Sequence, residues 1–188
     1  MTAPKRDTSL GMGVYFAIND YVGILRRLAI LAIDLVVLFF VYLVVGVPYY
    51  IVVGELDGIL GLLIAICVWF YLTVIKASKI RTVGYRLTGS RILTLHGTRP
   101  SILRMTFRML LWVLGPFNFL FDLLWSGIDD AHQTLRDGFA GTCVVRNHAK
   151  PIGEGEIHLT HYDALGFALQ YPRVMRPKPS VSETADET

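Results

Sequence analysis

Charge is scarce in this 188-residue chain, and over one long stretch the acids are missing altogether. Only 18% of the residues are Asp, Glu, Lys or Arg, against 53% hydrophobic, and the mean hydropathy is +0.50. Soluble domains carry about 25% charged residues, so the composition argues against that class. Cysteine is nearly absent: Cys67 lies in an apolar run and Cys143 among small and β-branched residues, which suggests neither a disulfide framework nor a metal pair. No Asn-x-Ser/Thr acceptor occurs, and Lys5 and Arg6 are not followed by the apolar core and small-residue site of a cleaved signal, so the first span is expected to stay as an anchor. There is no P-loop, dinucleotide fingerprint or nucleophile elbow, so neither an enzyme nor a cofactor is expected. Asp129, Asp130 and His132, like His158 and His161, lack supporting ligands at metal spacing and read as solvated loop residues.

What the chain does have is apolar sequence gathered in three blocks. The first, Leu28 to Val47, is long enough for a bilayer and is followed by Pro48, Tyr49 and Tyr50 at the expected interface. A short acidic turn, GELDG (54–58), leads into a second run from Ile59 to Ile75. Basic residues flank the outer ends of both, through Arg26, Arg27 and Lys76, while the turn has none. The pair therefore reads as a hairpin with its flanks, and the N-terminus, in the cytoplasm of a cell-membrane protein. The third block, Ile102 to Trp125, contains Arg104, Arg108, Gly115-Pro116, Asn118 and Asp122, and each half alone is too short to span. It is either a kinked span or a re-entrant pair of half-helices.

Eight basic residues and no acid lie between Lys76 and Arg108. Such a run suits a cytoplasmic loop facing anionic lipid headgroups better than a nucleic-acid site. Its segment 81–100, with Gly84, Gly89 and Gly97, reads as a small β-hairpin-like loop. The expected fold is thus an all-α membrane protein: a transmembrane helical hairpin plus a broken third helix, spanning 24–146. Residues 1–23 form a cytoplasmic or interfacial segment. Residues 147–188 form an extension with one short helix near 163–170, disordered from about 171.

Asp34 stands inside the first span. About fifteen Leu, Ile, Val and Phe residues contribute roughly −5 to −9 kcal/mol to insertion, against roughly +2.5 to +3.5 for one central Asp, so the segment still inserts. The carboxylate needs a partner inside the bundle or a wet cavity. Arg27, seven residues earlier, lies on the same face about 10 Å along the axis. Asp34 either pins the helix to Arg104, Arg108 or the glycine-bearing loop, or it is a cation or proton site.

The stretches RRLAILAID (26–34), TVGYRLTGSRILTLHGTRPS (82–101) and TLRDGFAGTCVV (134–145), in that order, resemble the RDD family of bacterial membrane proteins over about 23–146. The resemblance assigns the family's arginine to Arg27 and its two aspartates to Asp34 and Asp137, and matches its glycine pattern at Gly84, Gly89 and Arg91. Arg136 stands where a histidine is common. If Asp137 works with Arg27, both lie on one membrane face, which favours a returning third block and a cytoplasmic C-terminus. The resemblance implies little about activity. The basic loop and the tail suggest first an adaptor or assembly module with a structural Arg-Asp-Asp network and a protein partner; some members of the family look like alkali cation/proton antiporters, which is the alternative. Three apolar blocks are few for a pathway, so transport implies a homo-oligomer.

Overall fold

The computed structural model describes residues 10–114, 122, 125–127, 132–164 and 167–176. Two long helices dominate. Helix α1 (Ile24–Val53) runs past the expected end at Val47, carrying Pro48 inside it, and stops at Gly54, whose left-handed conformation (φ 83°) caps the helix. One proline removes one backbone hydrogen bond, and thirty residues of otherwise regular helix absorb that loss. Asp57 then starts α2 (Gly58–Trp69) by accepting hydrogen bonds from the amides of Ile59 and Leu60, at 3.1 and 3.0 Å, and from the Tyr49 hydroxyl at 2.7 Å. The chain continues through a wider π-helical turn, Phe70–Ile75, which sets Tyr71 and Thr73 inward.

Both helices, Ile24–Val53 and Gly58–Ile75, are long and apolar enough to cross a membrane, with windows of mean hydropathy 3.0 and 2.5. Only 11% and 17% of those windows is covered by the rest of the protein, whereas the core helix of a soluble protein would be mostly covered. The outer face instead shows Leu35, Phe39, Phe40, Val44 and Ile51. Apolar surface of this extent calls for lipid.

Segment 81–100 differs from expectation. It forms a one-and-a-half-turn helix, α3 (Val83–Leu87), and a strand, β2 (Ser90–Thr94), which pairs antiparallel with the distant β3 (Thr142–Arg146) rather than folding back on its neighbour. Between them in sequence come α4 (Ile102–Leu114) and the short α5 (Leu135–Phe139). The middle of the third apolar block lies outside the described residues.

The β2–β3 ribbon is buried on both faces, as its continuous apolar sequence requires. Paired Leu93 and Cys143, with Val145, face Phe16 and Tyr21. Paired Ile92 and Val144 face Val22, just before α1, and Ile30, Tyr85 and Met105 from the helices. The ribbon is therefore the plate on which the N-terminal segment and the helical bundle meet. Phe16, expected at an interface, is only 1% exposed within this core.

The all-α expectation is corrected by a second sheet. Here β1 (Met12–Tyr15) pairs with β4 (Gly153–Ala164), and β4 with β5 (Phe167–Val174), in the order β1-β4-β5. Strands replace the short helix expected near 163–170, and Tyr171, at the expected start of disorder, is buried in β5. Close packing explains why: a Cβ on Gly155 would fall 2.0 Å from the Met175 carbonyl oxygen, so glycine admits the neighbouring backbone. Residues 177–188 lie outside the described residues.

Candidate functional site

The buried residues of α1 are Arg27, Ile30, Asp34 and Gly46. The first three follow helical spacing, so one stripe presents an arginine at the helix entry and a carboxylate two turns deeper, both bordering the same cleft. Their partners, however, are different.

Arg27 uses all three guanidinium nitrogens. Nε donates to the Val22 carbonyl at 3.0 Å, Nη2 to the His132 carbonyl at 2.7 Å and Nη1 to Asp137 Oδ2 at 2.8 Å. On the other carboxylate oxygen, Arg108 of α4 closes a second ion pair, Nη2 to Asp137 Oδ1. Asp137 itself is placed by a capping box: the Thr134 hydroxyl accepts from the Asp137 amide at 3.2 Å, and the Asp137 carboxylate accepts from the Thr134 amide at 3.5 Å. The carboxylate is wholly buried. Burial alone would raise its pKa; Arg108, Arg27 and Arg136 outweigh that and hold it well below the usual carboxylate range.

Asp34 has no arginine partner among the described residues. Its Oδ1 accepts from the Tyr71 hydroxyl and the Gly84 amide, and its Oδ2 from the Thr82 hydroxyl, each at 2.9 Å. Tyr71 in turn accepts from the Val83 amide at 3.1 Å. The wide turn after α2 and the start of α3 thus converge on one carboxylate, 3% exposed. Gly84 is what lets α3 come so near. A Cβ there would stand 2.5 Å from the Ile30 carbonyl oxygen and 2.8 Å from Asp34 Oδ1.

Of the other candidates, Arg108 belongs to the Asp137 pair rather than to Asp34. Among the described residues Arg104 donates to the Gly141 carbonyl, at 3.4 Å, and not to Asp34. Asp122 binds Arg136 through Nε at 2.8 Å and the backbone amide at 3.0 Å, so the arginine that replaces a histidine has its own carboxylate. The His132 ring bonds the Ser126 carbonyl at 3.0 Å, and Asp129 and Asp130 lie outside the described residues. Tyr71 and Thr82 went unnoticed in the sequence. The available signal was a hydroxyl at the end of an apolar run and another two residues before a matched glycine.

The cleft bordered by Arg27, Asp34, Lys76, Arg108 and Arg136 holds about 70 Å³ of space, with Leu31, Leu35 and Leu72 along its wall. Counting Asp122 and Asp137 just behind it, four cations meet three carboxylates. Two Arg108 nitrogens, Nε and Nη1, are buried with no hydrogen-bond partner among the described residues. The cleft is therefore electropositive.

Fold and site together define a membrane protein whose exposed apolar hairpin is fastened to its polar part by one buried arginine and two buried aspartates. The RDD family model matches residues 21–141, about two thirds of the chain, and the protein belongs to the RDD family. No curated protein and no solved structure matches it.

Two predictions follow from this geometry. Replacing Gly84 by Ala forces α3 off Asp34 and lowers stability by about 1–3 kcal/mol, whereas Gly61→Ala, within α2 and meeting only open space, leaves the melting temperature unchanged or raises it. Equal melting of both variants in detergent contradicts the close-approach argument. The second concerns pH. A carboxylate held below its unfolded pKa of about 3.9 stabilises above that value and loses the effect as pH falls through the folded value. The stability gap between wild type and Asp137→Asn is therefore constant from pH 8 to 5 and closes only below about pH 4. A gap closing between pH 7 and 5 contradicts the assignment.

Proposed function

We propose that the protein is a non-enzymatic membrane adaptor or assembly module, in which Arg27, Asp34 and Asp137 are structural. The observation that carries this reading is the state of Asp34. Its carboxylate already accepts three hydrogen bonds and faces a cleft bordered by Arg27, Lys76, Arg108 and Arg136. A site that must admit a bare alkali cation needs free oxygen ligands and a negative surround. Four nearby cations oppose that entry by Coulomb repulsion.

In this reading the chain sits in the cell membrane as a hairpin with both termini in the cytoplasm. The Arg27–Asp137 contact supports a third block that returns, because it joins the entry of α1 to α5, beyond that block. The exposed faces of α1 and α2 meet lipid or a second copy, and the polar part, with its second sheet, is the surface offered to a protein partner.

Proton-coupled cation transport is the second reading, favoured by the fact that Asp34 does border a cleft. Purified wild type and Asp34→Asn in vesicles separate the two. The adaptor reading expects no cation-driven proton flux from either protein. Flux in wild type that disappears in a folded Asp34→Asn variant establishes transport instead.

A further inference from the structure

A second pocket, of about 140 Å³, opens beside the first and shares Lys76 with it. Its lining draws five cations from the acid-free run, namely Lys76, Lys79, Arg81, Arg91 and Arg99, together with Asn147 and, among the described residues, no carboxylate. The excess of basic residues that orients a membrane protein would satisfy itself by spreading into water, since like charges repel. Here they converge.

Two of the three guanidinium groups are also held in place by neutral oxygens, with no carboxylate partner among the described residues. Arg81 Nη1 donates to the Ser90 carbonyl at 3.0 Å and to Asn147 Oδ1 at 2.6 Å. Arg91 Nη2 donates to the Ala149 carbonyl at 2.7 Å, and its Nε is buried with no hydrogen-bond partner among the described residues. Neutral oxygens fix these side chains and leave their charge for something else. Arg81 moreover keeps a left-handed backbone (φ 59°), which a non-glycine residue adopts at an energetic cost and usually at functional sites.

The position of the pocket indicates its ligand. Lys76 directly follows the apolar helix that ends at Ile75, so the pocket lies at headgroup depth when that helix is in a bilayer. Ile80, between the lining residues Lys79 and Arg81, is 64% exposed and adds apolar surface suited to the interface. We propose that this pocket binds the phosphates of an anionic membrane phospholipid, and that its convergent cations select a lipid with two phosphates over one with a single phosphate. The proposal rests on the hairpin being in a membrane, not on the role of Asp34, so flux and lipid binding test separate claims.

The test is native mass spectrometry of the full-length protein in detergent. Cardiolipin, phosphatidylglycerol at matched total charge and phosphatidylcholine are supplied in turn, with inorganic pyrophosphate as the soluble probe. Cardiolipin is expected to be retained about fivefold or more over phosphatidylglycerol, with phosphatidylcholine lowest. Lys79→Gln/Arg99→Gln, both at exposed positions, weakens that retention about tenfold or more, while the charge-matched Arg86→Gln/Lys150→Gln leaves it unchanged. Equal retention of all three lipids overturns the proposal. So does equal loss in both double variants, which indicates general surface charge. Pyrophosphate bound as tightly as cardiolipin, with the same dependence on Lys79 and Arg99, overturns the lipid as the source of the phosphate. Melting in lipid-free detergent confirms that each variant is folded, and the single variants Lys79→Gln and Arg99→Gln repeat the measurement if the double does not fold.

Discussion

A carboxylate buried inside a protein must be matched by positive charge or by hydrogen-bond donors, and the structure is organised around two such groups. Asp137 takes the first solution, between Arg27 and Arg108. Asp34 takes the second, with two hydroxyls and an amide. The difference matters because an ion pair joins elements through charge, whereas three short donors demand shape. The first brings α1, α4 and α5 together; the second brings α1, the turn after α2 and α3 together. Between them α2, α3, α4 and α5 are all tied to α1.

Neither arrangement is a reservoir of large net stability, since burying charges costs about as much as pairing them returns. What they supply is placement. Remove one member and an uncompensated charge remains in an apolar setting, which costs about 3–5 kcal/mol. The lipid-facing helices add little packing of their own to one another, so register between the hairpin and the polar part depends on these contacts and on the β2–β3 ribbon.

The hairpin was legible because hydropathy is a local property: two runs, an acidic turn and basic flanks can be read without knowing anything distant. Arg27, Asp34 and Asp137 were legible through their ordered motifs, and the stripe joining Arg27 to Asp34 through helical spacing. Partners were another matter. Arg104, Arg108 and the glycine-bearing loop were all open as partners of Asp34; the loop supplies it through Thr82 and Gly84, and Arg108 holds Asp137 instead, because nothing local says which carboxylate a helix turn will face once α4 has docked. The pairing of Ser90–Thr94 with Thr142–Arg146 spans about fifty residues, and each strand alone looks only like a short β-branched run. The C-terminal sheet was hidden differently. Glycines at 153 and 155 lower strand propensity, yet they are there so that the Tyr15 ring and the Met175 backbone can approach.

If the Arg27–Asp137 pair is the link between the membrane entry and the polar part, the two side chains must be energetically coupled. A double-mutant cycle of Arg27→Ala and Asp137→Ala, followed by reversible unfolding in mixed micelles, measures this most directly. The double variant should be destabilised by about 1–3 kcal/mol less than the sum of the two single losses, because each single variant already loses the contact the two side chains share. Strictly additive losses would contradict the account.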